Sequence, residues 1–256
     1  EAPEAVVHLA ATGTAANSLA HASLCPPWTT VYCHEEAHVE VDECGAPELY
    51  TGGAKQTLIP GDDAKIDPEG LDRKLKTAAH AGVHNVQRGA VSVTQATELG
   101  AIYTPAEVAA LAGLAKEWDL PVHMDGTRFA NAVARLGCTP AELSWKAGVD
   151  VLCLGATKCG AMAAEAVIFF GAEAEKRAWE YELRRKRGGH LFSKMRYVAA
   201  QMEAWLTDGL WLRLAGQANA AADRLAAGIE ASDVASLLHP VQANMLFPTL
   251  PRRIHD

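Results

Sequence analysis

Short apolar runs alternate with longer helical patterns along most of this chain, and that alternation restricts the fold more than any other feature. Ala5–Ala10, Thr29–Cys33, Thr57–Ile59 and Ala90–Val93 are too short for helices and carry β-branched residues, so each reads as a strand. Pro121–Met124, Val149–Leu154 and Ala166–Phe170 complete the set. Between them Ala15–Leu24 reads as a helix and Ala37–Cys44 as a shorter one. Thr104-Pro105-Ala-Glu107 is a helix start, with a capping threonine, a proline at the first helical position and a glutamate three residues after the cap. Val108, Leu111, Leu114, Ala115 and Trp118 then recur at helical spacing. Thr139-Pro140-Ala-Glu142 carries the same start signal. Strands separated by helices predict an α/β fold with a mainly parallel sheet covered on both faces. After Gly171 the pattern is helical through Ile229, with one strand-like piece at Asn244–Phe247.

Composition removes several functional classes. Of the 256 residues, 49% are hydrophobic and 21% charged, which suits a folded chain with a large core. The net charge of −8, from 23 basic and 31 acidic residues, argues against a nucleic-acid partner held by phosphate attraction. The basic run Arg184–Arg187 follows Glu180 and Glu182 and reads as a solvated helix face. No apolar stretch is long enough to span a bilayer, so no membrane partner is expected. Six cysteines without a Cys-x-x-Cys pair read as reduced packing residues, consistent with a cytoplasmic location.

Ligands of such folds bind beyond the carboxyl ends of the strands, and two residues there stand out. Lys158 leaves the run Val149–Leu154 into a glycine-flanked turn, where its amine could form a Schiff base with a carbonyl cofactor. Asp125 ends the preceding strand and could pair with a protonated pyridine nitrogen. Those two tasks together describe pyridoxal 5'-phosphate (PLP) chemistry. Thr12-Gly13-Thr14, joining the first strand to the first helix, supplies a third anchor. Gly13 lets the backbone approach a ligand closely, and free N–H groups with the Thr14 hydroxyl favour a phosphate.

A competing motif is His34-Glu-Glu-Ala-His38, which fits the H-E-x-x-H pattern of zinc hydrolases. Its extended form wants a glycine and a third histidine where Val41 and Cys44 stand. The strand leading into the motif also puts His34 at a strand–helix junction, not inside a helix. No metal site is therefore expected, and the zinc hydrolase remains a remote alternative.

Longer segments carry a family resemblance. Gly13–Ala20, Ala37–Glu48, Thr94–Gly100, His123–Asn131, Thr139–Gly148 and Gly155–Lys158 resemble, in family order, the low-specificity L-threonine aldolases. These are PLP-dependent lyases of the aspartate-aminotransferase fold type. The resemblance implies an α/β, PLP-dependent transferase-like (fold type I) three-layer sandwich. By position, Lys158 matches the Schiff-base lysine and Asp125 the partner of the pyridine nitrogen. Arg128, one helical turn on, matches an arginine that pairs with the substrate carboxylate. Gly13 and Thr14 match the phosphate loop, and His38 a histidine stacked on the cofactor ring that helps proton transfer. Glu98 stands where other branches carry a histidine near the substrate. The implied reaction is aldol cleavage of L-threonine, L-allo-threonine and related β-hydroxy amino acids to glycine and an aldehyde. The implied partners are a small amino-acid substrate and further copies in a homodimer or homotetramer.

Some positions depart from the family pattern. Arg88-Gly89 stands in a loop that is usually more apolar, Thr127 where alanine is common, and Cys159 where asparagine is common. Segments that the family carries before the first strand and in its C-terminal domain, including a second carboxylate-binding arginine, are missing. The chain therefore reads as a PLP-binding large domain over 1–205 with an incomplete start, followed by the beginning of a small C-terminal domain over 206–256. A poorly active or non-catalytic remnant that keeps the fold is the alternative function.

Overall fold

All seven apolar runs are strands of one sheet in the computed structural model, which describes residues 4–78 and 82–252. The strands are β1 (Val6–Ala10), β2 (Thr29–His34), β3 (Lys55–Ile59), β4 (Gln87–Thr94), β5 (Val122–Gly126), β6 (Val151–Gly155) and β7 (Glu165–Phe169). Their spatial order is β1-β7-β6-β5-β4-β2-β3. β7 runs antiparallel to both of its neighbours, while the β2–β3, β2–β4, β4–β5 and β5–β6 pairs are parallel. A mainly parallel sheet is thus found, and it puts the carboxyl ends of β4, β5 and β6 along one edge.

The helices are α1 (Gly13–Leu24), α2 (His38–Val41), α3 (Ala46–Thr51), α4 (Pro68–Ala78), α5 (Pro105–Lys116), α6 (Phe129–Leu136), α7 (Ala174–Arg187), α8 (Met195–Leu206) and α9 (Leu210–Glu230). Alternate residues of β6 show how they sandwich the sheet. Val151 and Cys153 pack with Leu19 of α1 and Tyr181 of α7, whereas Leu152 and Leu154 join the larger core that includes Leu111 of α5, Phe129 of α6 and Met202 of α8. Strands covered on both faces become apolar throughout, which is why these runs lack strict alternation. Among the described residues, no helix is long and apolar enough to cross a membrane.

Local signals hold where the following residues can continue them. At α5 the Thr104 side chain accepts from the Glu107 amide while Glu107 reaches back to the Thr104 amide, a complete capping box. Thr139 and Glu142 make the same reciprocal contacts, yet no regular helix follows. Ser144 leaves the helical region at φ −125°, ψ −108°, and Gly148 turns left-handed at φ +99° to reach β6. A capping box specifies one turn and nothing beyond it. Asn244–Phe247 is not a strand either; the residues that pair are Pro248–Thr249 (β9) with Ser236–Leu237 (β8), because Leu238 takes the Phe247 carbonyl.

Three smaller readings are corrected. The helix expected over Ala37–Cys44 narrows to α2, since Cys44 and Gly45 take positive φ and start α3 anew. Arg88-Gly89 lies inside β4, where β2 shifts register. A Cβ on Gly89 would stand 2.7 Å from the Thr30 carbonyl oxygen and 2.9 Å from Cys25 Sγ, so the position admits no side chain. Within the basic run of α7, Arg185 is buried and donates to the Leu9 carbonyl, because α7 lies against β1.

Candidate active site

Asp125 is the most fully hydrogen-bonded of the sequence-chosen side chains. It stands at the carboxyl end of β5, opposite Thr94 of β4 and Cys153 of β6, with 2% of its surface exposed. Its Oδ1 accepts from the Thr127 amide (3.0 Å) and the Thr127 hydroxyl (2.7 Å), and its Oδ2 accepts from Asn17 Nδ2 (2.9 Å). A carboxylate has about four acceptor positions, so three donors leave room for one more. Thr127, noted only as a departure from the family pattern, therefore fixes the aspartate.

Asn17 comes from α1, whose buried face carries Asn17, Ser18 and His21 amid alanine and leucine. The same Asn17 amide donates to Glu43 Oε1 at 2.9 Å, and Ser18 Oγ lies 3.4 Å from Glu43 Oε2. Glu43 in turn holds His38, whose Nδ1 is 2.9 Å from Glu43 Oε1. Burial pushes the Glu43 carboxyl above its usual range, against the bonds from His38 and Asn17 that pull it down. His38 is raised chiefly by the Glu43 hydrogen bond, against its partial burial, with Asp125 and Glu98 adding to the rise. Sequence reasoning gave no role to Asn17 or Glu43. The one available signal was a polar stripe on an otherwise apolar helix.

Gly13 and Thr14 form the first turn of α1, capped by Thr12, whose Oγ1 accepts from the Ala15 amide at 3.2 Å. The first amides of a helix have no partner within it. A Cβ on Gly13 would meet nothing closer than Thr127 Oγ1 at 4.0 Å. The helix start thus lies beside the Asp125 turn with open space before it.

Arg128 lies in the two-residue turn between β5 and α6, not one helical turn after Asp125, because β5 continues through Gly126. Its amide donates to the Gln95 carbonyl (3.1 Å), and its buried Nε has no hydrogen-bond partner among the described residues. Burial lowers Arg128 from its ordinary value, while Glu98 and Asp125 support its charge. Glu98, in the loop after β4, is raised by burial and by Asp125, and feels His38, Arg128 and Lys158 as opposing charges. The sequence-chosen residues Asp125, His38, Arg128 and Lys158 therefore all act on the charge of a fifth, Glu98.

Lys158 is exposed in a single turn of 3₁₀ helix, Thr157–Cys159, just past β6. The turn is held from behind. Trp205 Nε1 of α8 donates to the Cys159 carbonyl (2.8 Å), and Gln201 Oε1 accepts from the Met162 and Ala163 amides. Gly160, at φ +110°, faces Leu214 so closely that a Cβ would come within 2.7 Å.

The two histidines of His34-Glu-Glu-Ala-His38 do not converge. His34 ends β2, with Nε2 3.1 Å from the Gly61 carbonyl and Nδ1 accepting from the Glu36 amide. Among the described residues, the side chains whose ligand atoms do converge are His38, Glu43 and Asp125, and that set lacks His34.

The residues present fit PLP: a buried aspartate with an acceptor position to spare, an unpartnered guanidinium nitrogen, an open helix start and an accessible lysine at neighbouring strand ends. Fold and site together define a PLP-dependent enzyme of fold type I. The Beta-eliminating lyase family model matches residues 3–250, and the chain belongs to that family. Two low specificity L-threonine aldolases are similar to it, one from a Pseudomonas species at 44% identity and one from Pseudomonas aeruginosa at 47%. Each match covers 94% of this chain and 68% of the relative. The solved threonine aldolase of Leishmania major superposes with a TM-score of 0.88 at 29% identity, over 96% of this chain and 70% of that one. The chain is accordingly a carbon–carbon lyase.

Proposed function

We propose that the chain cleaves L-threonine, L-allo-threonine and related β-hydroxy amino acids between Cα and Cβ, giving glycine and an aldehyde. The observation that carries this reading is the setting of Glu98, a half-buried carboxylate within reach of Asp125, His38, Arg128 and Lys158. The groups that act on Glu98 thus include an amine, a partner for a ring nitrogen, a guanidinium for a carboxylate and a proton acceptor. The substrate named for the relatives supports the same choice.

Bound PLP supplies a carbonyl that links the amino group and a ring that takes up the electrons of the broken bond. Lys158 would hold its aldehyde, Asp125 its ring nitrogen, His38 one ring face, and Gly13 and Thr14 its phosphate. Arg128 binds the substrate carboxylate, a task suited to a planar guanidinium. His38 Nδ1 is engaged by Glu43, so Nε2 is the atom that takes the proton of the substrate hydroxyl. Loss of that proton turns the C–O bond into the carbonyl of the departing aldehyde as Cα–Cβ breaks. A proton returned to Cα completes glycine. Glu98, which holds its proton to higher pH than an ordinary glutamate, can donate a hydrogen bond to the same hydroxyl. In this reading residues 1–205 are the cofactor-binding domain, 206–256 belong to a smaller one, and the working unit is a homodimer or homotetramer.

Borohydride reduction and peptide mapping are expected to leave the pyridoxyl label on Lys158. Added threonine is expected to release glycine. A label on another lysine, such as Lys146, overturns the site. Absence of glycine from cofactor-saturated protein favours the non-catalytic alternative.

A further inference from the structure

Gln95 follows β4 directly and is fully buried, and the chemistry above gives it no task. Its amide donates to the Asp125 carbonyl (2.8 Å), and its carbonyl accepts from the Arg128 amide (3.1 Å). The backbone of this one residue therefore spans the turn that runs from Asp125 to Arg128. Its side chain serves a second segment. Nε2 donates to the Tyr103 carbonyl (2.8 Å), and Oε1 accepts from the Tyr103 amide (3.1 Å).

Between Gln95 and Tyr103 the chain forms the loop that carries Glu98, and this pair of bonds closes its neck. Thr97 closes the loop again further out. Its amide donates to the Ala101 carbonyl (2.8 Å), and its hydroxyl accepts from the Ala101 amide (3.1 Å). The same hydroxyl donates to the Asp63 carbonyl (2.8 Å), so the base of the Glu98 turn is fixed. Arg128 has no hydrogen-bond partner at its buried Nε among the described residues, so the backbone beneath it places the guanidinium. The Asp125 carboxylate, in contrast, is held by Thr127 and Asn17, independently of the Gln95 side chain. Close-packed interiors transmit displacements, so a shift at Gln95 reaches both the Arg128 turn and the Glu98 loop.

A β-hydroxy amino acid carries its carboxylate on Cα and its hydroxyl on Cβ, so the groups that meet them must stand at a set separation. We propose that Gln95 is a positioning residue for substrate recognition: it ties the turn that carries Arg128 to the loop that carries Glu98 and so sets that separation. The proposal rests on the reading of Arg128 as the partner of the carboxylate and Glu98 as a partner of the hydroxyl.

The test is steady-state kinetics on cofactor-saturated holoenzyme, with PLP affinity measured beside it. Gln95→Met keeps the length and bulk and removes both contacts to Tyr103. Its KM for L-threonine is expected to rise about tenfold, while PLP affinity and the linkage absorbance stay as in the wild type. Glycine, which offers the carboxylate alone, is expected to weaken less as a competitive inhibitor. Gln95→Asn keeps the amide but is one methylene too short to reach Tyr103, and its KM is expected to rise in the same way. Thr51→Val is the control for lost stability, because it breaks buried bonds to the main chain at α3. That variant is expected to lower Tm without moving KM. A wild-type KM in either folded Gln95 variant, an equal loss for glycine and threonine, or an equal rise in Thr51→Val overturns the proposal. A wild-type KM in Arg128→Leu overturns instead the reading on which it rests.

Discussion

His38 and Glu43 form a polar pair at the rim of the site, with Nδ1 and Oε1 2.9 Å apart and the glutamate side chain wholly buried. The bond decides which imidazole nitrogen faces the substrate, and the carboxylate raises the proton affinity of the ring. Glu43→Gln keeps the shape and removes the charge. The acid limb of kcat/KM is expected to move to lower pH, because His38 then loses its proton sooner. A profile with its acid limb unmoved would break the link between this pair and proton transfer.

Asp125→Asn tests the partner of the ring nitrogen. The new amide oxygen can still accept from Thr127, and Asn17, whose Oδ1 has no partner, can turn over to accept from the new amide. The fold is therefore expected to survive. A charge-assisted hydrogen bond is worth about 1.5–3 kcal/mol, so PLP should bind roughly tenfold to a hundredfold more weakly. Cofactor affinity equal to that of the wild type would remove Asp125 from this role.

How far the site could be read in advance depended on chain distance. Lys158 and Asp125 were legible because one lies just past a strand end and the other at one, and a parallel sheet puts successive strand ends side by side. Asn17, Glu43 and Gln95 were not. Asn17 and Asp125 are 108 residues apart, and no local spacing relates them. Thr127 looked like a deviation because its meaning lies in the hydroxyl it offers Asp125. Thr139-Pro140-Ala-Glu142 shows the opposite failure, a local signal that forms its bonds while the chain beyond turns away toward β6.

The zinc alternative makes a separable demand. His34 is occupied by the Gly61 carbonyl and the Glu36 amide, so it serves the strand-to-helix turn. Purified protein is expected to hold substoichiometric zinc, and a chelator should leave glycine release intact. His34→Ala should cost about 1 kcal/mol of stability through the lost hydrogen bonds. Stoichiometric metal that leaves together with activity in that variant would restore the hydrolase reading.

Beneath Asp125 lies a pair of histidines that binds the fold to neutral pH. His123 is fully buried, with Nδ1 2.9 Å from Ser92 Oγ and 3.1 Å from His21 Nε2, and Nε2 3.3 Å from Cys153 Sγ. One consistent arrangement has Ser92 and His21 donating to Nδ1 while Nε2–H points to the sulfur, with both rings neutral. Burial pulls His123 down to about 3, whereas the unfolded chain protonates it near 6.5. The folded state thus binds fewer protons than the unfolded state in that interval. The stabilisation is present above the unfolded value and is lost as pH falls toward 3, by up to about 5 kcal/mol. Glu165, raised to about 7 by burial, contributes with the opposite sign, since its neutral form favours folding at low pH and that gain is lost as pH rises through 7. The two slopes oppose one another between 6.5 and 4.5. Denaturant midpoints measured against pH should therefore fall most steeply below about 4.5, where of these two groups only His123 still titrates, and His123→Asn should flatten that fall while lowering stability at neutral pH. An equally steep acid slope in a folded His123→Asn protein would show that this ring is not what ties the fold to neutral pH.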